Sequence, residues 1–169
     1  METSQHWLAD LHKYDADKMS IKPTKKQWCM AELYDHLMKV ANTYQLPNFH
    51  LCLENGDKLK ARKNLRARII FDLQLLPYRK MKLESFPEEI ANSFTPEIKK
   101  KPDLLSQFER WIKLVEEESL RLDKIDMAVK HFHPLFGWIN AIEWFSLIEI
   151  HIRHHTRQKQ RIEKLVFNK

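Results

Sequence analysis

Glycine and proline are scarce in this chain. Among its 169 residues there are 2 glycines and 7 prolines. A sheet of many strands needs such residues at its hairpins, and phosphate-binding loops need several glycines close together. The scarcity therefore excludes an all-β fold and the nucleotide-binding α/β folds.

Cysteine and long apolar runs are also scarce. The 2 cysteines, Cys29 and Cys52, are too few for a disulfide framework. No neighbouring sequence feature activates either thiol, so we expect both to be buried and inert. Charged residues interrupt every apolar run well before the roughly 18 residues of a membrane span, and residues 1–20 lack the features of a secretory signal. These absences predict a cytoplasmic protein with no membrane partner.

Apolar and charged residues are both plentiful. Hydrophobic residues make up 43% of the chain and charged residues 31%, which is enough for a buried core beneath a well-solvated surface. The length is that of one ordinary domain. We therefore expect residues 1–169 to form a single globular domain.

Positive charge exceeds negative charge. The formal net charge of +6 allows a nucleic-acid or acidic partner without requiring either. Basic residues are concentrated at 58–68, where they could face solvent, a phosphate backbone or the carboxylates of a low-molecular-weight thiol. Aromatic residues do not alternate with these charges, and no nucleic-acid-binding motif is present. We favour a solvated face and expect no nucleic-acid partner.

Apolar periodicity and capping signals predict four long helices. They cover about residues 5–18, 24–47, 102–125 and 140–166. A capping-box pattern over residues 24–27 marks the start of the second helix, and Pro47 ends or kinks it. Asn140 and Glu143 form a second capping box at the start of the last helix. The clearest apolar stripe is that of the third helix: Leu104, Phe108, Trp111, Val115, Leu122 and Ile125.

The stretch between the second and third helices has no clear pattern. Prolines interrupt it, and we expect one short helix near residues 58–76 within a long irregular connection. Almost no strand pattern occurs in the chain, apart from an ambiguous run at residues 68–71. The predicted fold class is therefore all-α, a four-helix bundle whose apolar stripes face one another.

Histidines interrupt the apolar side of the last helix. At spacings of four and three, this side carries Trp144, Ile148, His151, His155, Gln158, Ile162 and Leu165. His151 and His155 are four residues apart, so their β-carbons should lie roughly 6 Å from each other on neighbouring turns. Two imidazoles at this distance can bind one ion. His154 is the alternative to His155, because His151 and His154 also share a face.

His36 is a third candidate ligand, on the second helix. It lies among apolar residues such as Leu33 and Leu37 and should point inward. At about 1.5 Å per residue, His36, His151 and His155 lie roughly 18, 17 and 23 Å from the predicted starts of their helices. If the two helices are adjacent, the three rings come to the same level.

Three neutral imidazoles in an apolar interior need partners for their acceptor nitrogens, and a divalent metal ion provides one. Three protein ligands leave a position free for water or substrate, as in catalytic sites. Imidazole donors suit zinc or nickel, with other first-row divalent ions as alternatives. The competing interpretation is a set of hydrogen-bonded core histidines without metal.

Residues 27–37 and 133–158 resemble the two signatures of the DinB/YfiT-like metalloprotein superfamily. The first segment has the tryptophan, glutamate and His-Leu pair of the family, with cysteine where the family has serine or threonine. The second segment is most similar to a branch of unassigned function. The resemblance spans most of the chain. It implies an up-down-down-up four-helix bundle that binds a divalent metal through His36, His151 and His155.

The resemblance also implies a class of reaction. Characterised relatives include thiol-dependent S-transferases and isomerases, and others are described as metal-dependent hydrolases. We therefore expect a metal-dependent transferase or hydrolase acting on a small molecule, with a low-molecular-weight thiol as one substrate. The alternative is a non-catalytic, metal-stabilised scaffold or binding protein. Relatives often dimerise, which makes a homodimer the implied assembly.

Two further side chains are candidate catalytic residues. Glu32, one turn before His36, could accept a proton from water, hold the ring of His36 or form a surface ion pair. Gln158, one turn beyond His155, could orient a substrate or water, or be satisfied by the backbone. His133 precedes a proline and is expected to shape the turn before the last helix.

Overall fold

The computed structural model describes residues 2–54, 57–58, 61–73 and 88–168. Most of these residues are helical, as the all-α prediction requires. Within the described part, the α-helices are α1 (Glu2–Lys13), α2 (Met30–Val40), α3 (Leu46–Glu54), α4 (Leu65–Ala67), α5 (Glu88–Ser93), α6 (Lys101–Ser119) and α7 (Ala141–Ile162). In these residues, no helix has both the length and the apolar character needed to cross a membrane.

A small antiparallel sheet accompanies the helices. Its strands, in spatial order, are β1 (Asp57–Lys58), β2 (Val129–His133) and β3 (Gly137–Asn140). Gly137 begins β3 with a φ of 76°, which favours glycine, and the turn before it brings Phe132 opposite Trp138. Strands β2 and β3 were not predicted, because five and four residues are too few to show a clear alternation. The ambiguous strand pattern at residues 68–71 lies in the π-helical segment Arg68–Asp72.

The long helices pack on one another through their apolar sides. Helix α1 contacts α6 and α7, and α2 contacts the same two helices. Tyr34 of α2 lies at the centre of this packing, with its ring centroid 5.2 Å from that of Trp7 and 5.0 Å from that of Phe108. Its hydroxyl donates to the Trp7 carbonyl at 2.7 Å, so the buried polar atom is satisfied. Of the predicted stripe, Leu104, Phe108, Trp111 and Val115 are buried on α6. Leu122 and Ile125 lie beyond the end of α6 at Ser119 and are partly buried.

Helix α2 begins later than predicted. The pattern at residues 24–27 forms a turn, in which the Gln27 N–H donates to the Thr24 carbonyl at 3.1 Å. The actual N-cap is Cys29, whose N–H donates to the Glu32 carboxylate at 2.8 Å. The capping box of α2 therefore uses Glu32, and the prediction at Thr24 was wrong.

Pro47 does not end the second helix. The π-helical segment Ala41–Gln45 connects α2 directly to α3, which contains Pro47 in its first turn. Proline lacks an N–H, and in a regular α-helix its ring clashes with the carbonyl four residues earlier. The wider π-helical turn before Pro47 relieves this conflict, so the helical path continues to Glu54.

Helix α7 begins where the sequence predicted. The Asn140 side chain accepts the Glu143 N–H at 3.0 Å, and the Glu143 carboxylate accepts the Asn140 N–H at 3.0 Å. The helix continues into the π-helical segment Glu163–Phe167. This wider turn shifts the buried face by one residue, so Val166 is buried and Leu165 is exposed, contrary to the predicted apolar side.

The connection between α3 and α6 is partly described. It contains α4, which continues into Arg68–Asp72, so a short helix lies within the predicted range 58–76. Residues 74–87 lie outside the described part. Residue 94 lies in a turn, and residues 95–100 form an irregular connection to α6, which has Pro102 in its first turn as predicted.

The α7 cap can be tested by Asn140→Ala. Loss of the side-chain acceptor leaves the Glu143 N–H without its partner, and we expect the free energy of unfolding to fall by about 1 kcal/mol. Urea unfolding followed by circular dichroism measures this change. The matched control Asn42→Ala removes an exposed asparagine and should change the value by about 0.5 kcal/mol or less. Equal effects of the two substitutions would contradict the capping role.

Candidate metal centre

Three histidines converge between α2 and α7. His36, His151 and His155 are all buried, and each offers one ring nitrogen within 4.8 Å of the other two. The Nε2 atoms of His151 and His155 are 3.0 Å apart. Two nitrogens bound to one ion at about 2.0 to 2.1 Å lie roughly 2.9 to 3.4 Å apart at octahedral or tetrahedral angles. The spacing of this pair is therefore compatible with a shared ion.

Protein oxygens hold the outer nitrogens of two of these rings. His36 Nδ1 lies 2.9 Å from the carbonyl oxygen of Phe94, which can only accept, so Nδ1 donates. His155 Nδ1 lies 3.0 Å from Oε1 of Gln158 and donates in the same way. Each bond fixes the Nδ1–H tautomer and makes Nε2 the acceptor nitrogen of its ring. This is the arrangement of a histidine prepared to bind a metal through Nε2. In the metal-free protein, Nε2 of His155 shares a hydrogen bond of 3.0 Å with Nε2 of His151.

Burial keeps the three imidazoles neutral. It lowers the pKa of His151 well below the ordinary value, and the neighbouring histidines add to this effect. Burial together with the charges of nearby histidines lowers the pKa of His155 to about 3. Burial also lowers the pKa of His36, although the Phe94 carbonyl and Asp35 oppose the change. Neutral imidazole is the form that binds metal ions.

Trp28 forms one wall of the centre. Its ring centroid is 4.6 Å from that of His36 and 6.3 Å from that of His155, and it is stacked on the latter. The indole therefore limits both the rotation of these rings and the access of water to them.

Glu32 is close to the centre in sequence but is engaged elsewhere. Its carboxylate accepts the Cys29 N–H at 2.8 Å and Lys22 Nζ at 2.7 Å. Burial raises its pKa, but these two donors outweigh that effect and the pKa is lowered. Of the three roles considered, the contacts match the ion pair, and the outer nitrogen of His36 is held by Phe94. A catalytic role of Glu32 stays a prediction.

Gln158 and His154 take different positions. The Gln158 amide oxygen accepts the hydrogen bond from His155 Nδ1, so Gln158 orients the His155 imidazole and is satisfied by this side chain and not by the backbone. His154 is half-buried, with its ring centroid 5.1 Å from that of His155, and it does not belong to the converging group. Among the described residues, the geometry selects His155 as the partner of His151.

The remaining sequence predictions concern residues outside the centre. The Leu135 N–H donates to His133 Nδ1 at 3.0 Å, so His133 shapes the turn between β2 and β3, as expected. Both cysteines are buried, and burial raises the pKa of Cys52 to about 11 and that of Cys29 above its usual value. Neither thiol is activated, which agrees with the expectation of inert cysteines.

The basic stretch contains both solvated and paired side chains. Its exposed arginines are Arg62, Arg66 and Arg68. Lys63 forms ion pairs with Asp72 and with Glu143, the capping residue of α7. Lys63 thus connects this segment to the helix that carries two of the histidines. The side chains of Lys58 and Lys60 lie outside the described part.

Sequence reasoning missed three residues around the centre. Phe94 acts through its backbone carbonyl, which no residue-type pattern reveals. Asp35 is fully buried and contacts Lys99 and Lys39, although it directly precedes His36 in the sequence. A charged residue between a tyrosine and a histidine on a predicted buried face was the available signal for Asp35.

Lys159 was also missed. It is buried on α7, with Nζ 2.7 Å from an Asp10 carboxylate oxygen and 2.8 Å from one of Glu163. It lies 5.4 Å from the ring centroid of Trp7, so its charge is compensated by carboxylates and an aromatic face. These contacts join α1 to α7 one turn beyond His155.

Comparison of the chain with models of protein families, with curated proteins and with solved structures gives no match. The resemblance to the DinB/YfiT-like superfamily rests on the quoted residues alone. The centre must therefore be interpreted from its own geometry.

The buried histidines predict a loss of stability in mild acid. In the unfolded chain histidine titrates near pH 6.5, whereas the pKa values of folded His133 and His155 are about 3. Below pH 6.5 the unfolded state therefore binds protons that the folded state does not. Between pH 7 and pH 5 each of these side chains should lower the free energy of unfolding by about 2 kcal/mol.

Urea unfolding of the chelator-treated protein at both pH values measures this loss. In the control His133→Asn, the side-chain oxygen can still accept the Leu135 N–H, and the loss should shrink by about 2 kcal/mol. Equal stability of the parent protein at pH 7 and pH 5 would contradict the prediction.

Proposed function

We propose that this protein binds one divalent metal ion through His36, His151 and His155. One observation carries the proposal: three buried imidazoles from two helices converge, and protein oxygens hold the outer nitrogens of two of them. A hydrogen bond between His151 and His155 accounts for one contact in this group, whereas a shared ion also accounts for the His36 nitrogen beside them. The arrangement is that of ligands whose tautomers have been fixed in advance.

The donor set supports zinc or nickel. Imidazole is a ligand of intermediate softness that suits zinc, nickel, copper and iron, whereas magnesium and calcium prefer oxygen. Three nitrogen ligands leave at least one position for water or substrate. When bound, such an ion lowers the pKa of a water molecule or thiol at that position.

We further propose that the chain is a DinB-like four-helix bundle. The packing of α1 and α2 against both α6 and α7 supports this architecture. The distribution of the histidines, one on α2 and two on α7, is the distribution that the resemblance implies. A homodimer and a cytoplasmic location belong to the same proposal.

The proposed activity is that of a metal-dependent hydrolase or thiol S-transferase acting on a small molecule. In this proposal Gln158 keeps the ring of His155 oriented, and Trp28 excludes water from one side of the centre. A role of Glu32 as proton acceptor belongs to the same proposal and requires its carboxylate to separate from Lys22. A low-molecular-weight thiol is the proposed co-substrate.

Metal content tests the binding proposal. The protein is stripped with a chelator, reconstituted with Zn²⁺ or Ni²⁺, desalted and assayed by elemental analysis. We expect about one ion per chain for the parent and a loss of bound metal in His151→Ala, because two imidazoles bind far more weakly than three. His154→Ala is the matched control on the same helix and should retain the metal. Equal metal in the parent and in His151→Ala would refute the site.

A second candidate function is a metal-stabilised scaffold without catalysis. It is favoured by the burial of the three histidines, which are 5%, 7% and 9% exposed for His36, His151 and His155. A metal ion in such a closed site stabilises the fold, because it binds the native state and not the unfolded chain.

Turnover distinguishes the two functions. The reconstituted protein is incubated with low-molecular-weight thiols and electrophiles, and with ester and amide substrates. An enzyme should show turnover that is lost on chelation and in His151→Ala but kept in His154→Ala. A scaffold should show no turnover, although Zn²⁺ at about 100 times its dissociation constant still raises the free energy of unfolding by about 2.7 kcal/mol.

A further inference from the structure

Asp35 is a buried charge beside a proposed metal ligand. It directly precedes His36 on α2 and is 0% exposed. One carboxylate oxygen lies 2.7 Å from Lys99 Nζ, and the other accepts the Glu97 N–H at 2.7 Å and lies 3.3 Å from Lys39 Nζ. A buried carboxylate is tolerated only with such compensation. The buried charge of Asp35 therefore requires these partners, and its contacts in turn fix the positions of the two lysines and of the Glu97 backbone.

Two of these groups, Lys99 Nζ and the Glu97 N–H, belong to the irregular segment 94–99. Lys39, also on α2, donates to the Thr95 carbonyl at 3.0 Å and to the Glu97 carboxylate at 2.9 Å. Side chains on one turn of α2 thus hold the backbone of the segment at two successive points. The segment lies along α2 because a buried acid and its lysine partner anchor it there.

Phe94 begins the same segment and holds His36. Its carbonyl accepts the His36 Nδ1–H at 2.9 Å, and its ring lies against that of Tyr44, with centroids 5.6 Å apart. Phe94 directly follows α5, and the Thr95 N–H of the same peptide unit donates to the Asn92 carbonyl at 3.0 Å. The direction of the Phe94 carbonyl therefore depends on this turn at the end of α5 and on the path of the segment beyond it. The contacts that hold the segment against α2 therefore contribute to the orientation of the carbonyl that accepts from His36.

We propose that Asp35 is a positioning residue of the metal centre. By anchoring segment 94–99 to α2, it keeps the Phe94 carbonyl on His36 Nδ1 and directs His36 Nε2 towards the ion. The role of this bond in metal binding rests on the function proposed above. The hold on His36 itself is a property of the metal-free protein and can be measured without any ion.

His155 provides an internal control. Its outer nitrogen is held by Gln158, which lies on the same helix three residues later and makes no use of segment 94–99. A loss of the Asp35 anchor should therefore affect His36 and leave His155 unchanged. General loosening of the fold would affect both rings.

The first experiment compares the parent with Asp35→Asn in metal-free form at pH 7.5. Imidazole ¹⁵N chemical shifts report which nitrogen of each histidine carries the proton. We expect a single Nδ1–H tautomer for His36 in the parent, a mixture in Asp35→Asn, and an unchanged tautomer for His155 in both. A His36 that keeps its single tautomer in the variant overturns the proposal, and so does an equal change at both histidines.

The second experiment measures Zn²⁺ affinity by competition with a chromophoric chelator. Loss of the hold on His36 should weaken binding about 10-fold, the lower end of the effect of removing such outer partners. Glu118→Gln, which neutralises a carboxylate paired with His50 and Arg121, should leave the affinity within about twofold of the parent. An unchanged affinity in Asp35→Asn would overturn the effect on the centre. If the parent itself binds no Zn²⁺, the proposed metal-binding function fails. The ¹⁵N measurement of the His36 tautomer would still test whether Asp35 positions this ring.

Lys39→Met separates anchoring from the charge of Asp35 and replaces Asp35→Asn if that variant does not fold. It removes the bonds to Thr95 and Glu97 but leaves the carboxylate of Asp35 in place. Anchoring predicts a partial loosening of His36 and weaker Zn²⁺ binding. If Asp35 acted only through its negative charge, Lys39→Met should bind Zn²⁺ as tightly as the parent or more tightly, because a cation near the site has been removed. That result would overturn the proposal.

Discussion

The centre of this molecule is governed by a requirement for polar partners. An imidazole ring has one donor and one acceptor, and both need partners when the ring is buried. His36 and His155 meet half of this requirement with oxygens of the protein, the carbonyl of Phe94 and the amide of Gln158. Their remaining nitrogens, together with one from His151, face one another in the space between α2 and α7.

The surrounding structure serves to keep these rings in place. Caps at Cys29 and Asn140 set where α2 and α7 begin, and therefore which faces they turn inward. Trp28 packs on two of the rings, and Asp35 holds the segment that supplies one of their acceptors. Rigid elements of this kind allow a site to be preorganised before any ligand binds.

Charged residues are buried around the centre with their partners. Asp35 is paired with lysines from α2 and from segment 94–99, and Lys159 is paired with carboxylates of α1 and of the segment after α7. Removing one member of such a pair leaves a buried charge uncompensated, which is costly. These pairs therefore fix how the helices meet, in a way that apolar contacts alone would not.

The sequence by itself determined the helical class, the α7 cap at Asn140 and the inward positions of His36, His151 and His155, because these follow from local spacing and side-chain chemistry. It did not reveal the start of α2 at Met30, the continuation through Pro47 or the strands β2 and β3, where several local patterns compete and packing selects one. Only the tertiary structure assigned Phe94, Asp35 and Lys159 their partners. Those contacts join residues far apart in the chain, so local sequence patterns do not predict them. The Phe94 contact is also made by a backbone carbonyl, which every residue type has.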